Sequence, residues 1–175
     1  MSGPGFEPPA AVPPPGGEFR LGDADAAFVE SPVSVLVCAQ GIDGEPEVAR
    51  AIAARFEPGS GRIRVCLRVA DARALIDGAL HHDRCAAMFS RPRGHVSIQV
   101  KGDRVRAEQP DADDEAARRR YPPMLYGQLL PLGFDAGLVG CIISDAGSAL
   151  CMLSFRPTAV FDQTPGPRAG ERRPE

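Results

Sequence analysis

Over residues 62–69 the sequence reads RIRVCLRV, and this strict alternation constrains the fold more than any other stretch. Ile63, Val65, Leu67 and Val69 fall on one face, and Arg62, Arg64, Cys66 and Arg68 on the other. A period of two is a strand with one face packed. Similar runs follow the same logic. Residues 34–39 (SVLVCA) are β-branched and bounded by Pro32 and a Gly-Ile-Asp-Gly turn. Residues 84–90 and 96–107 read as two strands joined by Arg91-Pro-Arg-Gly94. Residues 138–144 and 148–155 read as two more, joined at Asp145-Ala-Gly147 as a hairpin. Residues 47–56 (EVARAIAARF) are ambiguous between helix and hairpin arm.

Two helices are expected between these strands. Asp71 is a good N-cap for DARALIDGALHHD, with Ala74, Leu75, Ala79 and Leu80 on its apolar face. A charged helix opens at Asp111, and Pro122 and Pro123 are expected to end it. In it Arg118-Arg-Arg120 follows four acidic residues, so pairing along the helix explains the basic run. Six or seven strands, mostly sequence neighbours, with two interspersed helices predict an α+β protein, mainly β, built on an antiparallel barrel.

The chain has 175 residues, suited to one domain with a substantial core. Pro and Gly dominate residues 3–17, so residues 1–18 are expected to form a disordered tail. Residues 19–161 form the expected domain, and 162–175 a Pro/Gly-rich C-terminal tail. The net charge of −3 and the absence of Trp argue against nucleic-acid binding and membrane association. The five Cys show no CxxC spacing, and with the three His they form no metal-binding pattern. They read as small core residues of a cytoplasmic protein.

In strand 96–107 Ser97, Gln99 and Lys101 share one face. They either meet water or hold a ligand. A hydroxyl, an amide and an ammonium together suit a phosphate and the polar edge of a heteroaromatic ring. Gly102 after them permits a bulge or a close backbone approach. No acid–base or nucleophilic constellation stands out, so no catalytic residue is assigned.

The stretch MFSRPRGHVSIQVKG, residues 88–102, resembles the F-S-x-P-x-x-x-R-S-x-Q-x-K-G run of flavin-binding split-barrel proteins related to pyridoxamine 5'-phosphate oxidase. The tail FDQTPGPRAG, residues 161–170, resembles the F-x-Q-T-P-G-P-G-A-G ending of one branch of that superfamily. The resemblance implies a six-stranded split barrel, a homodimer, and FMN in a groove between subunits. It makes Ser97, Gln99 and Lys101 cofactor ligands, together with Arg50, Cys66, Leu67, Arg68, Arg73 and Gln163. It implies an FMN-dependent oxidoreductase acting on a small-molecule substrate or electron donor. A non-catalytic flavin- or haem-binding dimer is the alternative on the same scaffold, with His95 or the His81-His82 pair as axial ligands, and some relatives bind deazaflavin. Val96 stands where the motif often has Arg, and Arg168 where the tail has Gly. The C-terminal Trp and the Arg-x-His segment of true pyridoxamine-phosphate oxidases are missing.

Overall fold

The computed structural model describes residues 19–145 and 147–173. The expected N-terminal tail, residues 1–18, lies outside the described residues. Six strands carry the fold: β1 (Ser34–Gln40), β2 (Pro46–Glu57), β3 (Arg62–Arg68), β4 (Arg84–Ser90), β5 (Ser97–Glu108) and β6 (Leu150–Asp162). Among the described residues four α-helices accompany them: α1 (Asp23–Val29), α2 (Val69–His82), α3 (Ala112–Leu129) and α4 (Ala136–Ile143). The strands close into an antiparallel barrel in the order β1-β2-β3-β6-β5-β4.

The alternation seen in the sequence fills the barrel. Val35, Val37, Ile63, Val65, Leu67, Phe89, Ile98, Val100, Leu153 and Phe155 form one buried cluster with Leu75, Ile76 and Ala79 of α2. Helix α2 comes so close to the end of β1 that a Cβ on Gly78 would stand 2.8 Å from the Gly41 Cα. Gly102 serves a similar approach, since a Cβ there would lie 2.5 Å from the Arg156 carbonyl oxygen. The β5–β6 register also shifts between Lys101 and Gly102, a bulge at the position where Gly was expected to allow one.

The ambiguous segment 47–56 is strand. Opposite β3 its register slips, with Ala51 facing Leu67 and Ala53 facing Cys66. Before the slip Ala49 and Ala51 point into the barrel; after it Ala54 and Phe56 do. The extra residue inverts the phase of the alternation, and a run rich in Ala then resembles a helix period.

A second apolar cluster lies outside the barrel. Tyr121 and Leu125 of α3 and Val139 and Ile143 of α4 cover Ile52, Ala53, Cys66 and Met152. Three expectations change here. Residues 138–144 are not a strand: Asp135 caps α4 by accepting from the Leu138 amide at 3.0 Å. The cap and a stripe of apolar side chains against α3 and the barrel outweigh β-branched composition. Pro122 and Pro123 do not end α3, which runs through to Leu129. Pro123 is exposed, while Tyr121 and Leu125 on either side are buried, so packing pins both halves of the helix. Helix α2 starts at Val69, so Asp71 sits in its first turn and Arg68 holds the cap position.

The Arg face of β3 is not solvated either. Arg62 and Arg64 are 5% and 6% exposed. Asp114 of α3, itself 2% exposed, accepts from Arg64 Nη2 at 2.7 Å and from Arg55 Nε at 2.6 Å. Asp111 and Asp114 also cap each other's backbone amides at the start of α3. Arg118 pairs with Glu115 along the helix at 2.8 Å, as the charge order suggested. Cys66 and Cys85 are buried, Cys38 and Cys151 half-buried, and Cys141 exposed on α4. No described group of His, Cys, Asp and Glu could hold a metal ion. No described helix is long and apolar enough to cross a membrane.

Candidate functional site

The outer surface of β2, β1, β4, β5 and β6 is one continuous sheet face. Cross-strand partners share a face, so the register can be read across it. One row runs Arg50, Leu36, Met88, Gln99, Phe161. The next runs Val48, Cys38, Ala86, Lys101, Ala159. Ser34, Ser90 and Ser97 form the row at the other side. Ser97, Gln99 and Lys101 therefore do share a face, and it lies outside the barrel.

At the serine end of this face the surface deepens into a cavity of about 410 Å³. Arg50, Ser97 and Gln163 line it, three residues from β2, β5 and the segment after β6. Arg50 donates from Nη1 to the Ser34 hydroxyl at 2.5 Å, which fixes the guanidinium at the cavity wall. The Ser97 hydroxyl donates to Ser90 Oγ at 2.9 Å. The loop 91–96 adds Arg91 and His95. Arg91 donates to Ser31 Oγ at 3.3 Å and lies 5.0 Å from the Phe28 ring centre. His95 takes a φ of 57°, in the left-handed region that side chains other than glycine rarely enter. The opposite wall is apolar, with Leu125 and Leu129 of α3, Phe134, and Ile142 of α4.

The C-terminal segment forms part of this wall because it folds back on the barrel. The Gln163 amide donates to the Ser97 carbonyl at 2.8 Å, and the Ser97 amide donates to Thr164 Oγ1 at 3.1 Å. The chain then turns through Gly166, and the Gly170 amide returns to the Asp162 carbonyl at 2.7 Å. Arg173 closes the loop, pairing with Asp25 of α1 at 2.5 Å.

The other residues suggested by the sequence lie elsewhere. Cys66 is 1% exposed beneath α3 and α4, and its thiol is pushed up to about 12, chiefly by burial. Leu67 points into the barrel. Arg68 bridges Asp71 at 2.6 Å and the Ser144 carbonyl at 2.6 Å, tying α2 to the end of α4. Arg73 stands in solvent on α2, paired with Asp77 at 2.8 Å. Gln99 and Lys101 lie on the same outer face as Ser97, further along β5 and outside the cavity lining. The Lys101 ammonium sits 4.9 Å from the centre of the Phe161 ring.

Ser34 and Arg91 line the cavity without having been singled out as ligands, and His95 was singled out only as an axial ligand for haem. Arg91 and His95 lie inside the quoted motif, so a signal for them existed. Ser34 gave none, being the first residue of an ordinary strand. Behind Arg50, Tyr121 is 5% exposed and its hydroxyl makes no hydrogen bond of ordinary geometry among the described residues. Burial pushes the phenol up to about 12, against the pull of the Arg50 charge.

The donor set fits the polar parts of FMN. Two guanidinium groups and three hydroxyls gather on one side of the cavity, and the apolar wall suits a planar ring. The helix-start cation Arg73 takes no part in this set.

No family model matches the chain. No curated protein matches it. Solved structures do. HupZ from Group A Streptococcus is 12% identical, with 86% of this chain and 99% of that one covered and a TM-score of 0.49. A pyridoxamine 5'-phosphate oxidase-related, FMN-binding protein from Nostoc punctiforme is 14% identical, covering 77% of this chain and 76% of that one, with a TM-score of 0.44. A protein of the pyridoxinephosphate oxidase family from Clostridium acetobutylicum, related to general stress protein 26, is 13% identical over 78% of this chain and 82% of that one, with a TM-score of 0.44.

Proposed function

We propose that this chain is an FMN-binding flavoprotein, a cytoplasmic homodimer that acts as an FMN-dependent oxidoreductase on a small molecule. The observation that carries the reading is the meeting of Arg50, Ser97 and Gln163 in one cavity. The resemblance named these three separately, and they lie far apart along the chain. Bound in this cavity, FMN would supply hydride or electron transfer. The protein's part is to hold and orient it. Arg50, kept in place by Ser34, offers a fixed positive group to the anionic or carbonyl edge of the ligand. Ser90 and Ser97 offer hydroxyls, and the helix side chains exclude water from the ring.

Gln99 and Lys101 bear on this reading only through a second copy of the chain. Their sheet face carries Leu36 and Val48, which are 38% and 60% exposed, so an apolar stripe runs beside the cavity. Pairing two such faces would bury that stripe and bring the second copy's Gln99 and Lys101 toward a shared groove. His95 at the cavity supports a second reading, a haem-binding dimer with an axial imidazole.

Absorption and fluorescence titration of the purified chain with FMN and with haem test both. Saturable quenching of flavin fluorescence is expected, weakened about ten- to a hundredfold by Arg50→Ala. Arg73→Ala is expected to change nothing. Equal affinity in wild type and Arg50→Ala would exclude this cavity as the flavin site, and a Soret band without flavin binding would favour haem.

A further inference from the structure

A second and larger cavity, of about 510 Å³, opens elsewhere on the barrel and shares no residue with the first. Asp103 on its rim and Ser97 in the other cavity lie on the same strand, roughly 20 Å apart at the usual strand rise. Three guanidinium groups line it, from Arg20 before α1, Arg104 in β5 and Arg156 in β6. Asp103 supplies the one carboxylate of the lining. Glu57 lies close by but is engaged, accepting from the Ser60 hydroxyl and pairing with Arg55 at 3.5 Å. In a chain of net charge −3, this local excess of positive charge runs against the overall sign.

Two of the three arginines are poised rather than spent. Among the described residues neither the Arg20 nor the Arg104 side chain makes a hydrogen bond or ion pair. Arg104 adopts a φ of 53°, a conformation that costs energy for a side chain of its kind. Its carbonyl is held there by Arg62 Nη2 at 2.5 Å. Burial lowers the pKa of Arg62 itself, and the charges of Arg106 and Arg156 add to this while Glu108 and Glu57 oppose it. Phe19 and Phe56 add an apolar surface to the same cavity, and both also pack against the barrel core. Guanidinium forks match phosphate oxygens, and aromatic side chains take a flat ring.

From this geometry we infer that the cavity binds an organic anion with a planar body and a phosphate, the chemistry of a nucleoside monophosphate. This site is separate from the proposed flavin site. The test is calorimetric titration of the full chain with adenosine 5'-monophosphate, with adenosine and with inorganic phosphate. Saturable binding of the monophosphate is expected, tighter than either fragment by tenfold or more. Arg20→Ala and Arg104→Asn should each weaken it at least tenfold, Asn being a residue that tolerates the left-handed backbone. Arg20→Ala lies in the segment before the barrel, so it reports on the site even if Arg104→Asn perturbs the fold. Arg50→Ala should leave this binding unchanged while altering flavin binding. Absence of saturable binding overturns the inference. So does equal affinity in wild type and both cavity variants, or loss of binding in Arg50→Ala, which would place the anion in the other cavity.

Discussion

Asp114 is the residue on which the outside of the barrel depends. It carries two arginines of the β2 and β3 outer faces and half of the α3 capping box on one carboxylate. Burial by itself would raise its pKa. Hydrogen bonds from Arg64, the Asp111 amide and Arg55 outweigh it and hold the carboxyl at about 2, against an ordinary 3.8. A carboxyl lowered on folding contributes stability above pH 3.8 and loses it as the pH falls toward 2, so acid unfolding should steepen in that window. Asp114→Ala removes the fully buried carboxylate that two guanidinium groups share and leaves them only the more exposed Asp111 and Glu108. We expect it to cost about 3–5 kcal/mol in urea unfolding, with a flattened acid limb. A loss below about 1 kcal/mol would show that water solvates the arginines instead. Tyr121 runs the other way. Among the described residues its buried hydroxyl makes no hydrogen bond of ordinary geometry, so Tyr121→Phe should be neutral or stabilise by about 1 kcal/mol. A clear destabilisation would reveal a partner for that hydroxyl.

Among the elements, α3 departs furthest from its local sequence. Two consecutive prolines remove two amide donors from the middle of an 18-residue helix. Its capping box at one end and the burial of Ala117, Tyr121 and Leu125 along one side hold it together. Proline inside a helix costs about 3 kcal/mol, of which the stiffer unfolded chain returns roughly 1. Pro123→Ala should therefore stabilise the protein by about 2 kcal/mol, read as a higher urea midpoint with an unchanged slope. A lower midpoint would mean that the prolines shape a bend the packing requires. The C-terminal segment is the second such element. Its composition suits a frayed end, yet backbone bonds to Ser97, Asp162 and Val160 seat it against β5 and β6. A chain ending at Phe161 should lose FMN affinity, since Gln163 and the support of Ser97 go with it. Undiminished affinity in that variant would remove the tail from the site.

At the scale of the whole molecule, the barrel has two unlike outer surfaces. Helices α3 and α4 cover β2, β3 and β6, and among the described residues no helix covers the outer face of β1, β4 and β5. The bare face holds Leu36, Val48, Met88 and Phe161 beside Lys101 and the first cavity. A dimer through this face predicts that Val48→Asp, placed on the exposed stripe, yields monomers in sedimentation at micromolar concentration with the barrel intact. A wild-type monomer under the same conditions would overturn the pairing, and an Asp variant that remains dimeric would move the interface elsewhere.

Period-two alternation determined the strands of RIRVCLRV, SVLVCA and 97–101, and turn residues determined most of their joints. Both signals are local, since the pleat and the turn geometries act between near neighbours. The same locality explains the failures. Nothing within 47–56 announced a bulge, so its phase inversion passed for a helix. Nothing within 138–144 told a β-branched helix from a strand until Asp135 and the packing on Val139 and Ile143 decided it. Alternation divides the β3 residues into two faces without saying which environment each meets. Water on the Arg face was excluded by α3, which brings Asp114 to the arginines from about 50 residues away. Arg50, Ser97 and Gln163 meet for a similar reason. Closing the barrel and folding back the tail join strand positions that no spacing along the chain can relate. The ligand-type residues were legible as chemistry; their convergence is a property of the closed sheet.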